Sequence, residues 1–175
     1  MRRCATTILR EPRPADDETL TALRNDVDLQ LQLLARPRPN SVSRVRDWVE
    51  RISSDPGAVF FVIAESTGAD PSAGTAIGFL QLRDLDLVSG HGRLGIAVRA
   101  ESQRRGHARR ALDLAGSYGR EVFGLRKIVL EVRADNDAAR GLYRSAGFAD
   151  VGVLREHHRV ADRWYDVVVM ERFLD

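Results

Sequence analysis

Residues 103–110 read QRRGHARR, set between the apolar run LGIAV (94–98) and the helix-like stretch ALDLAGSYGREVFG (111–124). A strand, a glycine-containing turn and a helix N-terminus in that order form a ready anion site. The first backbone amides of the helix have no partner, and its dipole adds partial positive charge. Gly106 permits a backbone with exposed N–H groups and no Cβ to block a phosphate. Arg104, Arg105 and Arg109 add charge-assisted contacts. The alternative is a basic first turn on a solvated helix, which the dipole disfavours. No G-K-[ST] follows the glycine and there is no GxGxxG, so neither common nucleotide loop is present.

The rest of the chain bounds the reading. Its 175 residues suit one domain, 1–175, with a sizeable core. It is 43% hydrophobic and 30% charged, with 27 basic against 25 acidic residues and a formal charge of +2. That excess is too small to argue for nucleic acid, despite a sequence pI near 9.1. Lys127 is the only lysine, a bias that reads as genomic composition before it reads as function. Cys4 is the only cysteine, so there is no internal disulfide and no cysteine metal cluster, and no metal is expected. No apolar stretch has the length of a signal peptide or a membrane span, which makes the cytoplasm the default location.

Along the chain, CATTILR (4–10) reads as a strand, and Asp16 or Asp17 is placed to cap a helix over 18–34. After the turn ARPRPNS, capped by Ser41 or Ser43, Val42, Val45, Trp48, Val49 and Ile52 form one face of a second helix. AVFFVIAES is apolar throughout, as expected of a strand buried on both faces. Two more strands, 75–87 and 91–100, follow short turns as an antiparallel meander. The order then becomes helix (107–124), strand (125–134), helix (137–147) and two strands (148–160, 163–174). Leu112, Ala115, Tyr118 and Val122 are assigned to the inner face of the first of these helices. The fold class is α/β (α+β), a mixed sheet with helices on its faces.

QRRGHA matches the Q/R-x-x-G-x-G/A loop of the GNAT superfamily of N-acetyltransferases. Downstream, ADNDAARGLYRSAGFADVG resembles the second stretch of that family through Asn136, Ala139, Leu142, Tyr143, Gly147 and Phe148. The ending LREHHRVADRWYDVVVMERF is similar to the branch of ribosomal-protein and nucleotide-sugar N-acetyltransferases. The resemblance implies a mostly antiparallel sheet of about seven strands, splayed near its middle, and acetyl-CoA as co-substrate. It also implies direct attack by an amine, without an acyl-enzyme.

On that resemblance, Ile96, Ala97 and Val98 lie along the pantetheine arm as a peptide strand would. Gln103, Arg104, Arg105, Gly106, His107, Ala108 and Arg109 surround the pyrophosphate, and Asn136, Ala139 and Tyr143 complete the coenzyme site. Tyr143, which periodicity alone reads as a packed aromatic, becomes the candidate acid for the leaving thiolate. Asn136 is also placed to cap its helix. Many relatives carry a glutamate where this chain has Arg93. That departure leaves Glu131 and His91 as base candidates and suggests that Arg93 binds an anionic group of the acceptor. Of His157 and His158 at most one faces inward, and Asp166 either anchors the last hairpin or meets the amine; His157 and Asp166 are carried as acceptor contacts.

The expected acceptor is a small amine: an amino sugar, a nucleotide sugar or an amine antibiotic. A protein N-terminus and a non-catalytic acyl-CoA sensor are the alternatives. Polyamines are less favoured because no dense acidic cluster marks the acceptor segments. No nucleic-acid or membrane partner is expected, and the chain reads as a monomer or homodimer.

Overall fold

The apolar run at 58–66 organises the molecule, because its alternate side chains are needed on opposite faces of a sheet. In the computed structural model, which describes residues 6–66 and 74–174, seven strands form one sheet. They are β1 (Thr6–Arg10), β2 (Val59–Ser66), β3 (Thr75–Asp86), β4 (His91–Val98), β5 (Lys127–Arg133), β6 (Ala149–Val160) and β7 (Arg163–Phe173). Their order across the sheet is β1-β2-β3-β4-β5-β7-β6. Every pairing is antiparallel except that of β4 with β5. Cys4 and most of the loop before β3 lie outside the described residues.

Helices cover both faces. On one, α1 (Asp17–Asn25), α2 (Val27–Gln32) and α3 (Val42–Ser53) enclose Phe60, Val62 and Phe79 with Leu20, Leu23 and Val45. On the other, α4 (His107–Phe123) and α5 (Asp137–Ser145) lie over Phe61, Ile63, Leu80 and Ile128, and bury Ala111, Leu112 and Tyr143 among them. β2 therefore feeds both cores by simple alternation. Leu112 is 1% exposed, and truncating such a residue to alanine costs about 2–5 kcal/mol.

Three local expectations are corrected. The helix expected over 18–34 is broken at Asp26, whose carboxylate accepts the Leu29 amide at 2.9 Å and starts α2 afresh. Neither Asp16 nor Asp17 caps α1 with its side chain, because Asp16 is buried and spent on Arg10 and the Arg13 amide. Val122 is 56% exposed, one turn beyond the apolar face of α4. Ser41, not Ser43, accepts the Arg44 amide at the start of α3.

The feature that positions the site is a parting of strands. β4 pairs with β5 only at His91, Gly92 and Arg93, opposite Lys127, Ile128 and Val129. Beyond Arg93, β4 stays on β3 as far as Val98, and β5 stays on β7 as far as Arg133. The sheet is thus splayed at its middle, and the β5-facing edge of Leu94–Val98 has no strand beside it.

Candidate functional site

A cavity of about 750 Å³ opens where the strands part. Its lining includes Leu29, Trp48 and Ile52 from the α1–α3 face, and Ala139, Leu142 and Tyr143 from the α5 face. It therefore runs through the sheet, with one end on each face.

At the α4 end the backbone presents the polar groups. Gly106 caps α4 with φ of 84°, a left-handed conformation that costs other residues energy, and Arg104 also has a positive φ of 58°. The first helical bond is from the Arg110 amide to the Gly106 carbonyl. The amides of residues 104–109 give no hydrogen bond to any backbone carbonyl among the described residues. A run of free N–H groups at the positive end of a 17-residue helix suits a diphosphate. Nothing lies within 4 Å of where a Gly106 Cβ would sit, so conformation rather than crowding requires the glycine.

The side chains of this loop divide. Gln103, Arg104, Gly106, Ala108 and Arg109 line the cavity. Arg109 is tied to Asp113 at 3.2 Å and to the Ser145 carbonyl, which links α4 to the end of α5. Arg105 turns away to Glu65 at 2.8 Å. His107 is buried, with Nδ1 2.8 Å from the Thr7 hydroxyl, so it faces β1 and offers the loop only its amide. On β4, Ile96, Ala97 and Val98 all line the cavity.

Asn136 caps α5 by accepting the Ala139 amide at 3.1 Å, which leaves its Nδ2 for the cavity it lines with Ala139. Tyr143 is 8% exposed, its ring set edge-on to Phe148, and burial pushes its phenol up to about 12. The hydroxyl therefore stays protonated at any working pH and is available as a hydrogen-bond donor.

Arg93 and Glu131 meet as an ion pair at the crotch where β4 and β5 part, and both line the cavity. Glu131 is the only carboxylate among its lining residues. The other candidates lie elsewhere. His91 sits at the closed end of β4, 3.7 Å from Asp86, and does not line the cavity. His157 is exposed on β6, whereas His158 is the half-buried one. Burial and the nearby Arg133 and His157 charges hold His158 below the ordinary histidine range. Asp166 accepts the Glu156 amide at 2.7 Å and so pins the irregular stretch of β6 to β7.

The lining residues that sequence reasoning did not assign to the site include Arg24, Trp48, Gln81 and Arg83. Phe79, Gln81 and Arg83 alternate along β3 and share its cavity face, and a glutamine inside the strand run GFLQL was the available sign. Gln81 Oε1 is buried with no hydrogen-bond partner among the described residues.

Similar proteins share this frame. A spermidine N(1)-acetyltransferase of Vibrio cholerae is 31% identical over 91 residues, covering 52% of this chain and 53% of that protein. The N-alpha-acetyltransferase RimI of Mycobacterium tuberculosis is 44% identical over 66 residues, 38% of this chain and 39% of that protein. The chain spans about half the length, or less, of these curated relatives. A crystal structure of spermidine N-acetyltransferase from Vibrio cholerae with CoA and spermine superposes with a TM-score of 0.85 at 23% identity, covering 96% of this chain and 95% of that one. A dodecameric structure of the Vibrio cholerae enzyme gives 0.76 at 22% identity, covering 96% and 94%. Among the described residues no helix is long and apolar enough to cross a membrane. The family model for the acetyltransferase (GNAT) domain matches residues 6–149, and the chain belongs to that family.

Proposed function

We propose that this chain is an acetyl-CoA-dependent N-acetyltransferase that modifies a primary amine of a small molecule by direct attack in a ternary complex. The observation that carries the reading is the continuous cavity running through the parted strands, with free amides at one end and side chains of the α1–α3 face at the other. The loop amides and Arg104 hold the diphosphate, and the open edge of Leu94–Val98 hydrogen-bonds the amide-bearing arm as a missing strand would. A β4 amide near Ile96 or Ala97 polarises the thioester carbonyl.

The acceptor arrives as an ammonium, because a free amine has a pKa of about 10. Glu131, held by Arg93, takes one proton directly or through water, and the neutral nitrogen attacks the carbonyl carbon. The carbon–sulfur bond breaks and the sulfur leaves with the electron pair. The second nitrogen proton balances the thiolate, so the products are an amide and a thiol. A thiolate of pKa about 8.5 cannot fully deprotonate a phenol near 12. Tyr143 therefore stabilises the departing sulfur with a hydrogen bond, and the nitrogen supplies the net proton.

Release of free thiol from acetyl-CoA, followed with a thiol-reactive dye across a panel of amines, tests the reading. Amine-dependent release supports it; tight acetyl-CoA binding with no amine-dependent release would make the chain an acyl-CoA sensor instead. The 66-residue likeness to an N-alpha-acetyltransferase favours a second acceptor, a protein N-terminus. A mass increase of one acetyl group on a peptide panel would select it.

A further inference from the structure

Five arginines line the cavity against the one carboxylate, and they are not equally satisfied. Arg93 has Glu131 and Arg109 has Asp113, while Arg104 belongs to the diphosphate end. Arg24 and Arg83 pair with no carboxylate among the described residues, although many other arginines of the chain do. Building on the function proposed above, we infer that the acceptor is an amine that also carries an anionic group, a carboxylate or phosphate, received by Arg24 and Arg83 on the α1–α3 side.

Arg24 is positioned as a receptor would be. Its guanidinium lies 4.7 Å from the centre of the Trp48 ring, and Trp48 is itself wedged edge-on against Phe60 and Phe79. Nη1 donates to Gln30 Oε1 at 2.9 Å, and Gln30 is buried and fixed to the Leu23 carbonyl. These partners are neutral, so they orient the planar fork without cancelling its charge. Its Nε is buried with no partner among the described residues, and burial lowers its pKa. A partly buried cation left uncompensated costs stability, and a partner from outside the chain removes that cost.

Arg83 adds a second reason. It stands directly across from Arg93 on the neighbouring strand, where like charges repel. Glu131 and, at 3.9 Å, Asp84 both pair with Arg93, whereas Arg83 has no carboxylate among the described residues and is left for an incoming anion. Two residues before Arg83 on the same face of β3, the unpartnered Gln81 Oε1 can accept an N–H from the amine. The same charge distribution repels a polycation such as spermidine.

The test is binding of acceptor to the CoA-loaded protein by calorimetry, which is independent of turnover. The probes are β-alanine against β-alaninamide, glucosamine 6-phosphate against glucosamine, and spermidine. The anionic member of at least one pair should bind about 10- to 100-fold tighter, a charge-assisted contact's range. The first pair marks a carboxylate and the second a phosphate. Arg24→Gln and Arg83→Gln should each reduce that preference about tenfold while CoA affinity stays within twofold, and Arg24→Lys should recover only part. No preference in either pair, an unchanged preference in both glutamine variants, or spermidine binding tightest would overturn the inference. Preference without any acetyl transfer would sink the proposed activity alone.

Discussion

The two ends of the cavity are built in different ways. The α4 end is made of consecutive backbone: residues 104–109 present amides that any side chains would leave in place, provided Gly106 keeps its positive φ. The α1–α3 end is made of side chains drawn from distant parts of the chain: Arg24, Trp48, Gln81 and Arg83. A diphosphate is common to every acetyl-CoA, and a backbone device suits an invariant ligand. An acceptor is particular to its enzyme, and side chains from several elements can change without disturbing the fold. The Arg93–Glu131 pair and Tyr143 lie between the two ends, where the reacting groups would meet.

The largest expected effect is at that junction. Tyr143→Phe should lower kcat about 100-fold, the size expected for a lost transition-state donor, and change acetyl-CoA affinity less than threefold. Equal losses in kcat and affinity would reassign Tyr143 to the coenzyme end. Glu131→Gln should lower kcat/KM roughly 10- to 100-fold near pH 7, with the deficit shrinking as pH approaches the acceptor's own pKa. A deficit independent of pH would argue that Glu131 only restrains Arg93. Gln81→Leu, nearly equal in volume, should raise acceptor KM several-fold and leave acetyl-CoA affinity alone. A matching loss of acetyl-CoA affinity would erase the distinction between the ends. His91→Ala should change steady-state constants less than twofold, because His91 lies outside the cavity; a tenfold fall would restore it as the base.

Tyr143 also ties the site to stability. Its folded pKa of about 12 exceeds the ordinary value near 10. Between these values the folded state holds a proton that the unfolded state has lost, so this contribution is whole below pH 10 and vanishes as pH rises through 12. Denaturant unfolding of Tyr143→Phe should show a shallower alkaline decline than the parent.

Legibility from sequence follows the same division. Elements with strong periodicity were readable almost to their ends: the helix predicted over 42–53 and α3 coincide, and strands 75–87 and 91–100 match β3 and β4 within two residues. The seven strands were read from local patterns, but the splay followed from family resemblance, since no local pattern encodes where two strands separate. The geometry of the loop at 103–110 was readable because it is built from contiguous residues. The acceptor end was not. Arg24 looked like any exposed helical arginine until Trp48 and Gln30 were brought to it, and Arg83 gains meaning only opposite Arg93. The division of labour among loop side chains was equally hidden, because it depends on Thr7 and Glu65 approaching from β1 and β2. Asp26 ended the first helix through one local hydrogen bond that competed with the apolar periodicity.

The central claim, a backbone site for the diphosphate at the α4 end, is tested most directly by calorimetry with two ligands. Acetyl-CoA carries the diphosphate and S-acetylpantetheine lacks it. The parent should bind acetyl-CoA at least 100-fold tighter. Gly106→Pro forces φ to about −65° and removes an amide, so it should abolish most of that difference while leaving the weak S-acetylpantetheine affinity nearly unchanged. A folded Gly106→Pro variant that keeps the full preference for acetyl-CoA would contradict the account.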